Sequence, residues 1–134
     1  MQLGRYSFVS TVSFNADLQR FADKTGVKLD LVVRKVALDI YEKVTVKTPV
    51  DTGRAKGNWN MSVGRKDTST NDNATSTPQG QPAKKPFLIK GSGVSVIYIT
   101  NSLPYIYALE HGHSQKASAG MVAVTVNEVR ASLL

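Results

Sequence analysis

The chain has no cysteine, so it has no disulfide framework, no thiol nucleophile and no cysteine-ligated zinc site. Its fold must therefore be held by packing and hydrogen bonding alone. Only two histidines are present, His111 and His113, which leaves few imidazoles for a metal. No apolar run approaches the roughly 20 residues that a membrane-spanning helix requires, and no membrane contact is expected. The opening segment MQLGRYSFVS lacks the longer apolar core and small-residue cleavage site of a secretory leader. It is expected to belong to the mature chain. Acidic residues are also scarce, 10 against 17 Lys and Arg, giving a formal charge of +7. That excess favours nucleic acid, anionic lipid or an acidic protein surface. The basic residues are spread from Arg5 to Arg130 rather than concentrated among aromatics, which argues against nucleic acid as the principal partner.

What the chain does contain is enough apolar sequence for one core. Its 134 residues have the length of one domain, spanning 1–134. Tyr6 to Phe14 alternates loosely and predicts a short strand or an extended arm. Asn15 then offers an N-cap to a short helix carrying Leu18, Phe21 and Ala22. Gly26 interrupts it. From Leu29 to Val44 apolar residues recur every three or four positions, which predicts the principal amphipathic helix. Asp30 to Arg34 and Asp39 to Lys43 form acid-first i, i+4 pairs on its polar face. Pro49 biases Thr48 away from helical backbone, so the helix should stop near Lys47 and turn through Pro49 to Gly53.

Trp59, Met61 and Val63 alternate with polar residues as in a half-buried strand. From residue 65 to about 90 the chain is dominated by Ser, Thr, Asn, Gln and Pro, and a long flexible polar loop is expected there. Gly93 to Thr100 carries the clearest strand pattern, followed by a turn at Asn101 to Pro104 and a short helical turn over Tyr105 to Glu110, closed by Gly112. Met121 to about Val126 alternates like a strand and leads into a short terminal helix. The expected fold class is α+β, a long amphipathic helix on a small, mainly antiparallel sheet.

The chemistry-bearing clusters are sparse. Glu110, His111 and His113 lie together in a loop without another carboxylate nearby, so no metal site is assigned and no catalytic residue is named. Lys90 to Gly93 reads KGSG, which lacks the glycine spacing and Lys-Ser/Thr pair of a phosphate loop. No nucleophile elbow is present. Asn73-Ala74-Thr75 matches a glycosylation acceptor, read as chance in the absence of a leader. Lys47, Arg54, Lys56, Arg65 and Lys66 surround the Pro-Asp turn, either as a solvated rim or as cations facing an anionic partner. Trp59 is expected to anchor the first strand on the core. These readings point away from an enzyme and from any cofactor.

In order along the chain, these features resemble one family. A long helix ending in TPVDTGRAKGNW, a polar loop, a strand, then YIYALEHGHS and AGMVAVTVNEV are similar to the phage tail-component family typified by the gene-ten product of lambdoid phages. The first motif stands at Thr48 to Arg54, with Pro49, Asp51, Gly53, Arg54, Lys56 and Trp59 as structural corner and candidate interface. The second is carried by Tyr107, Ala108, Glu110 and Gly112. The resemblance covers Val27 to Val129.

It implies a structural virion protein of a tailed phage, a ring-forming neck or tail-completion subunit at the head-tail junction, assembled in the host cytoplasm. A six-fold homo-oligomeric ring is implied, with a twelve-fold ring as the alternative. Its partners would be connector or head-closure proteins, the tail tube and, non-specifically, passing DNA. A tail terminator capping the tube is the alternative within the class. From other classes, the charge suggests a small basic nucleic-acid-binding protein, and a hydrolase using Glu110 and His111 ranks last.

Overall fold

A computed structural model of the protein describes residues 11–49, 54–71, 96–111 and 120–133. Helix α1 covers Thr11–Thr25 and helix α2 Leu29–Lys47, with Gly26 between them at φ 73°. The left-handed backbone suits glycine, and the Gly26 amide closes α1 on the Ala22 carbonyl at 2.9 Å. Thr11 to Phe14 is thus helical, not part of a strand, and Asn15 lies inside α1 instead of capping it. Phe14, Leu18 and Ala22, at i, i+4 and i+8, are all buried, so the helical period wins over the local alternation. Residues 6–10 of the expected strand lie outside the described residues.

The long helix ends where proline requires. Thr48 takes an extended conformation, ψ 129°, and Pro49 is buried behind it. A single 3-10 turn, Lys56–Asn58, leads into strand β1, Asn60–Val63, which pairs antiparallel with β2, Ile97–Thr100. Asn60 faces Thr100 and Val63 faces Ile97. Short helix α3 spans Ile106–Glu110 and α4 spans Val122–Ser132. The architecture is α+β, with α2 packed against α1, α4 and the two-stranded sheet.

One core joins these elements. Val36, Ile40 and Val44 of α2 meet Leu18 of α1, Val126 and Val129 of α4, and Ile97 and Ile99 of β2 in one cluster of buried side chains. The strand expected from Met121 to Val126 is instead helical from Val122. Val126, Val129 and Leu133 are buried at i, i+3 and i+7 while Val124 is only half-buried. The valine run carries both periods, and the core selects the helical one.

Ion pairs tie the helices at their rims. Asp17, 3% exposed, accepts from Arg130 Nε of α4 at 2.5 Å and pairs with Arg20 of its own helix. Lys47 Nζ reaches Glu128 at 2.9 Å, and this hydrogen bond, with the added charge of Lys43, holds the Glu128 carboxyl below its usual range. Asp30 to Arg34 forms as expected at 3.6 Å, but Lys43 faces Glu128 at 3.9 Å and Asp39 meets Lys35 at 3.7 Å, in place of an Asp39 to Lys43 pair. Among the described residues no helix is long and apolar enough to cross a membrane.

Candidate functional site

The two motif segments meet at the C-terminal end of α2. A helix end leaves its last carbonyls without intrahelical donors, and their partial negative charge favours a cation. Lys56 supplies one: its ammonium donates to the Thr45 carbonyl at 3.0 Å and to the Val46 carbonyl at 2.8 Å. The side chain is 3% exposed, and burial lowers its pKa. Lys56 is therefore neither a solvated rim residue nor a surface contact, because the helix end draws it inward.

Trp59 anchors the same corner. Its indole Nε1 donates to Thr48 Oγ1 at 2.9 Å, while the Thr48 hydroxyl donates to the Val44 carbonyl at 2.7 Å. Tyr41 Oη donates to the Trp59 carbonyl at 3.1 Å, and burial pushes its pKa up to about 12. The buried indole thus has its polar edge satisfied, and α2 is locked to the start of β1. Pro49 lies in this buried corner. Asp51 and Gly53 lie outside the described residues.

Two asparagines that the sequence reading passed over fasten the first part of the polar segment. Asn58 donates through Nδ2 to the Asn71 carbonyl at 2.9 Å and accepts the Asn71 amide at 2.7 Å. Asn60 Nδ2 reaches the carbonyls of Asp67 at 3.3 Å and Ser69 at 3.0 Å. Side-chain amides thus satisfy backbone groups of Asp67, Ser69 and Asn71 in the first part of the expected loop. Residues 72–90 of the expected loop lie outside the described residues. The visible signal was Asn58-x-Asn60 immediately before a polar run, with two amides placed to bind backbone.

The second motif is built around Glu110. Its Oε1 accepts the amides of Met121 at 2.8 Å and Val122 at 2.7 Å, and its Oε2 accepts the Ala123 amide at 3.0 Å. These are the orphan donors at the start of α4, where the helix dipole also favours an anion. A carboxylate from α3 thus serves as the cap that Met121 cannot provide. The chain reaches it through Gly120 at φ 84°. Tyr107 stands exposed with its ring centroid 4.1 Å from that of His111, tilted by 43°. Gly112 and His113 lie outside the described residues, and among the described residues no group of three His, Asp or Glu side chains is placed to hold a metal.

The motif segments approach one another where the Arg54 guanidinium lies 5.9 Å from the centroid of the Tyr105 ring, and just before the second segment Asn101 Nδ2 donates to the Ala55 carbonyl at 2.9 Å. Beside this junction opens a cleft of about 410 Å³. Ile40, Val44, Trp59, Ile99, Leu103 and Met121 give it an apolar lining, with Lys66 and Tyr107 also on its wall. Glu110 borders it too, but its carboxylate is held by the three amides of α4.

No family model, curated protein or solved structure matches the chain.

Proposed function

We propose that the protein is a structural virion subunit of a tailed phage, a ring-forming neck or tail-completion component at the head-tail junction. One observation carries this reading: the two motif segments, some fifty residues apart in sequence, lie against one another through Arg54 and Tyr105, and each uses one of its charged residues to brace a helix end. Lys56 closes α2 and Glu110 opens α4. A corner fixed in this way suits a subunit whose work is to hold a shape against neighbours. The event is association: each subunit offers two different surfaces, and rotation closes the ring. The partners are further copies of the chain, a connector or head-closure protein and the tail tube.

Negative-stain microscopy and native mass spectrometry of the purified protein, alone and with tail tubes, test this. Rings are expected. A protein that remains monomeric in both settings overturns the reading. In a phage lacking the gene, normal-length tails beside unattached heads are expected, whereas overlong tails would assign a terminator instead.

A further inference from the structure

In the fold three tyrosine rings each have a nitrogen-bearing side chain beside them. The Arg54 guanidinium lies 5.9 Å from the centroid of the Tyr105 ring, and the Lys66 ammonium lies 5.9 Å from that of Tyr98. The His111 ring centroid is 4.1 Å from that of Tyr107. The bond from Asn101 to the Ala55 carbonyl fastens the Arg54 end of the first pair, and the strand register sets Ser62 of the Lys66 segment opposite Tyr98. The pairs stand about one opening. Lys66 and Tyr107 line the cleft, as do Thr100, on the Tyr98 face of β2, and Pro104 and Ile106 on either side of Tyr105. Tyr105 and Tyr107 are 38% and 48% exposed, and Lys66 and His111 are exposed as well.

We propose that this surface binds single-stranded nucleic acid, with bases stacked on Tyr105 and Tyr107 and phosphates held by Arg54 and Lys66. A simple polyanion would use only the cations, and an apolar partner only the rings. A single strand uses both, because its phosphates meet the cations while its unpaired bases present faces to the aromatic side chains. In a duplex those faces are already stacked on one another, so the rings would gain little from it. The carboxylates of the same segments are engaged elsewhere: Glu110 accepts three amides of α4, and Asp67 accepts the amide and hydroxyl of Ser69. The formal charge of +7 adds longer-range attraction for a polyanion. The contact is independent of the ring-forming reading above and requires only the folded chain.

Fluorescence anisotropy of a labelled oligothymidylate, titrated with the full chain across a salt series, tests this. Binding is expected at low salt, with log affinity falling against log salt at a slope of about −1.4 or steeper for two phosphate contacts. Tyr105→Ala and Tyr107→Ala should each weaken binding about 5- to 150-fold, while Tyr107→Phe keeps the ring and should bind as the wild type does. Lys66→Gln should flatten the slope by about 0.7. An abasic oligomer and a duplex of the same length should bind more weakly than the single strand. Tighter binding of oligouridylate than of oligothymidylate would assign RNA and the reverse DNA, and either supports the surface. Equal binding of the abasic oligomer overturns it, as do alanine variants that melt cooperatively yet bind like the wild type. If an alanine variant fails to fold, the abasic oligomer and Lys66→Gln still decide. Absence of binding at low salt also overturns it. So does polyglutamate that displaces the strand as well as unlabelled oligothymidylate does, which would mark a site for an acidic protein. Strand binding without rings removes only the ring reading, and rings without strand binding remove only this surface.

Discussion

Gly120 packs so closely on Glu110 that a β-carbon there would stand 2.4 Å from the Glu110 carbonyl oxygen and 3.0 Å from its carboxyl carbon. The same glycine holds φ 84°, a backbone region costly for side chains. The two residues form one device: the glycine lets the chain pass close enough for the carboxylate to take the first amides of α4.

Gly120→Ala should therefore be costly, because backbone rather than a flexible side chain blocks the new methyl group. A loss of at least about 2 kcal/mol is expected, read as a lowered urea midpoint with an unchanged slope.

Glu110→Gln keeps an acceptor but loses the charge that faces the helix dipole, and should cost about 1 kcal/mol. Glu110→Ala leaves the amides of Met121, Val122 and Ala123 without their acceptor and should cost about 2 kcal/mol. Hydrogen exchange should quicken at those three amides in the alanine variant, while those of α2 keep their relative protection.

Lys56→Met removes both bonds to the Thr45 and Val46 carbonyls while retaining most of the apolar stem. The loss of capping outweighs the relief from burying an ammonium, and a net cost of about 1 to 2 kcal/mol is expected in urea melts. The lowered pKa has its own sign. Below the ordinary lysine value the unfolded chain holds this proton to higher pH than the folded one, so the Lys56 contribution to stability increases as pH rises through that interval.

Tyr41 gives the opposite slope. Its folded pKa of about 12 lies above the ordinary tyrosine value of 10.0, so the folded state keeps a proton that the unfolded chain releases. The stabilisation is complete below about pH 10 and is lost as pH rises toward about 12, amounting to about 2 to 3 kcal/mol. Urea melts through this range should show a steeper alkaline fall for the wild type than for Tyr41→Phe.

Thr48 and Trp59 should be energetically coupled. Thr48→Val leaves the buried indole N–H without an acceptor and is expected to cost about 1 to 3 kcal/mol. With Trp59→Phe as the second arm, a double-mutant cycle should return a coupling of about 1 kcal/mol. Zero coupling would remove the hydrogen bond from the account of this corner.

The long helix was legible because its apolar residues recur at one period over five turns and Pro49 ends it. The sheet pairing was less so, since alternation at Trp59 to Val63 and Gly93 to Thr100 marks strands without stating their register. The terminal valine run was misread because Val122, Val124 and Val126 satisfy period two while Val126, Val129 and Leu133 satisfy the helical spacing. Nothing local breaks that tie; a carboxylate eleven residues upstream of Met121 does. In sequence Lys56 reads as a rim residue or a partner contact for a similar reason. Its composition says cation, but its partners are carbonyls ten and eleven residues earlier, and only the tertiary fold brings them within reach.

The sequence by itself determined the α+β class, the extent of α2, the corner after it and the dependence on packing without disulfides. These follow from periodicity, from the backbone limits of proline and from composition, all local properties of the chain. Tertiary structure alone decided that Lys56 and Glu110 are buried helix caps, that Asn58 and Asn60 fasten the polar segment, and that α4 is a helix. For Lys56 and Glu110 the donor and the acceptor stand ten or more residues apart in sequence, where local pattern carries no sign of their meeting. The energy of burying such groups is favourable only once the partner is in place.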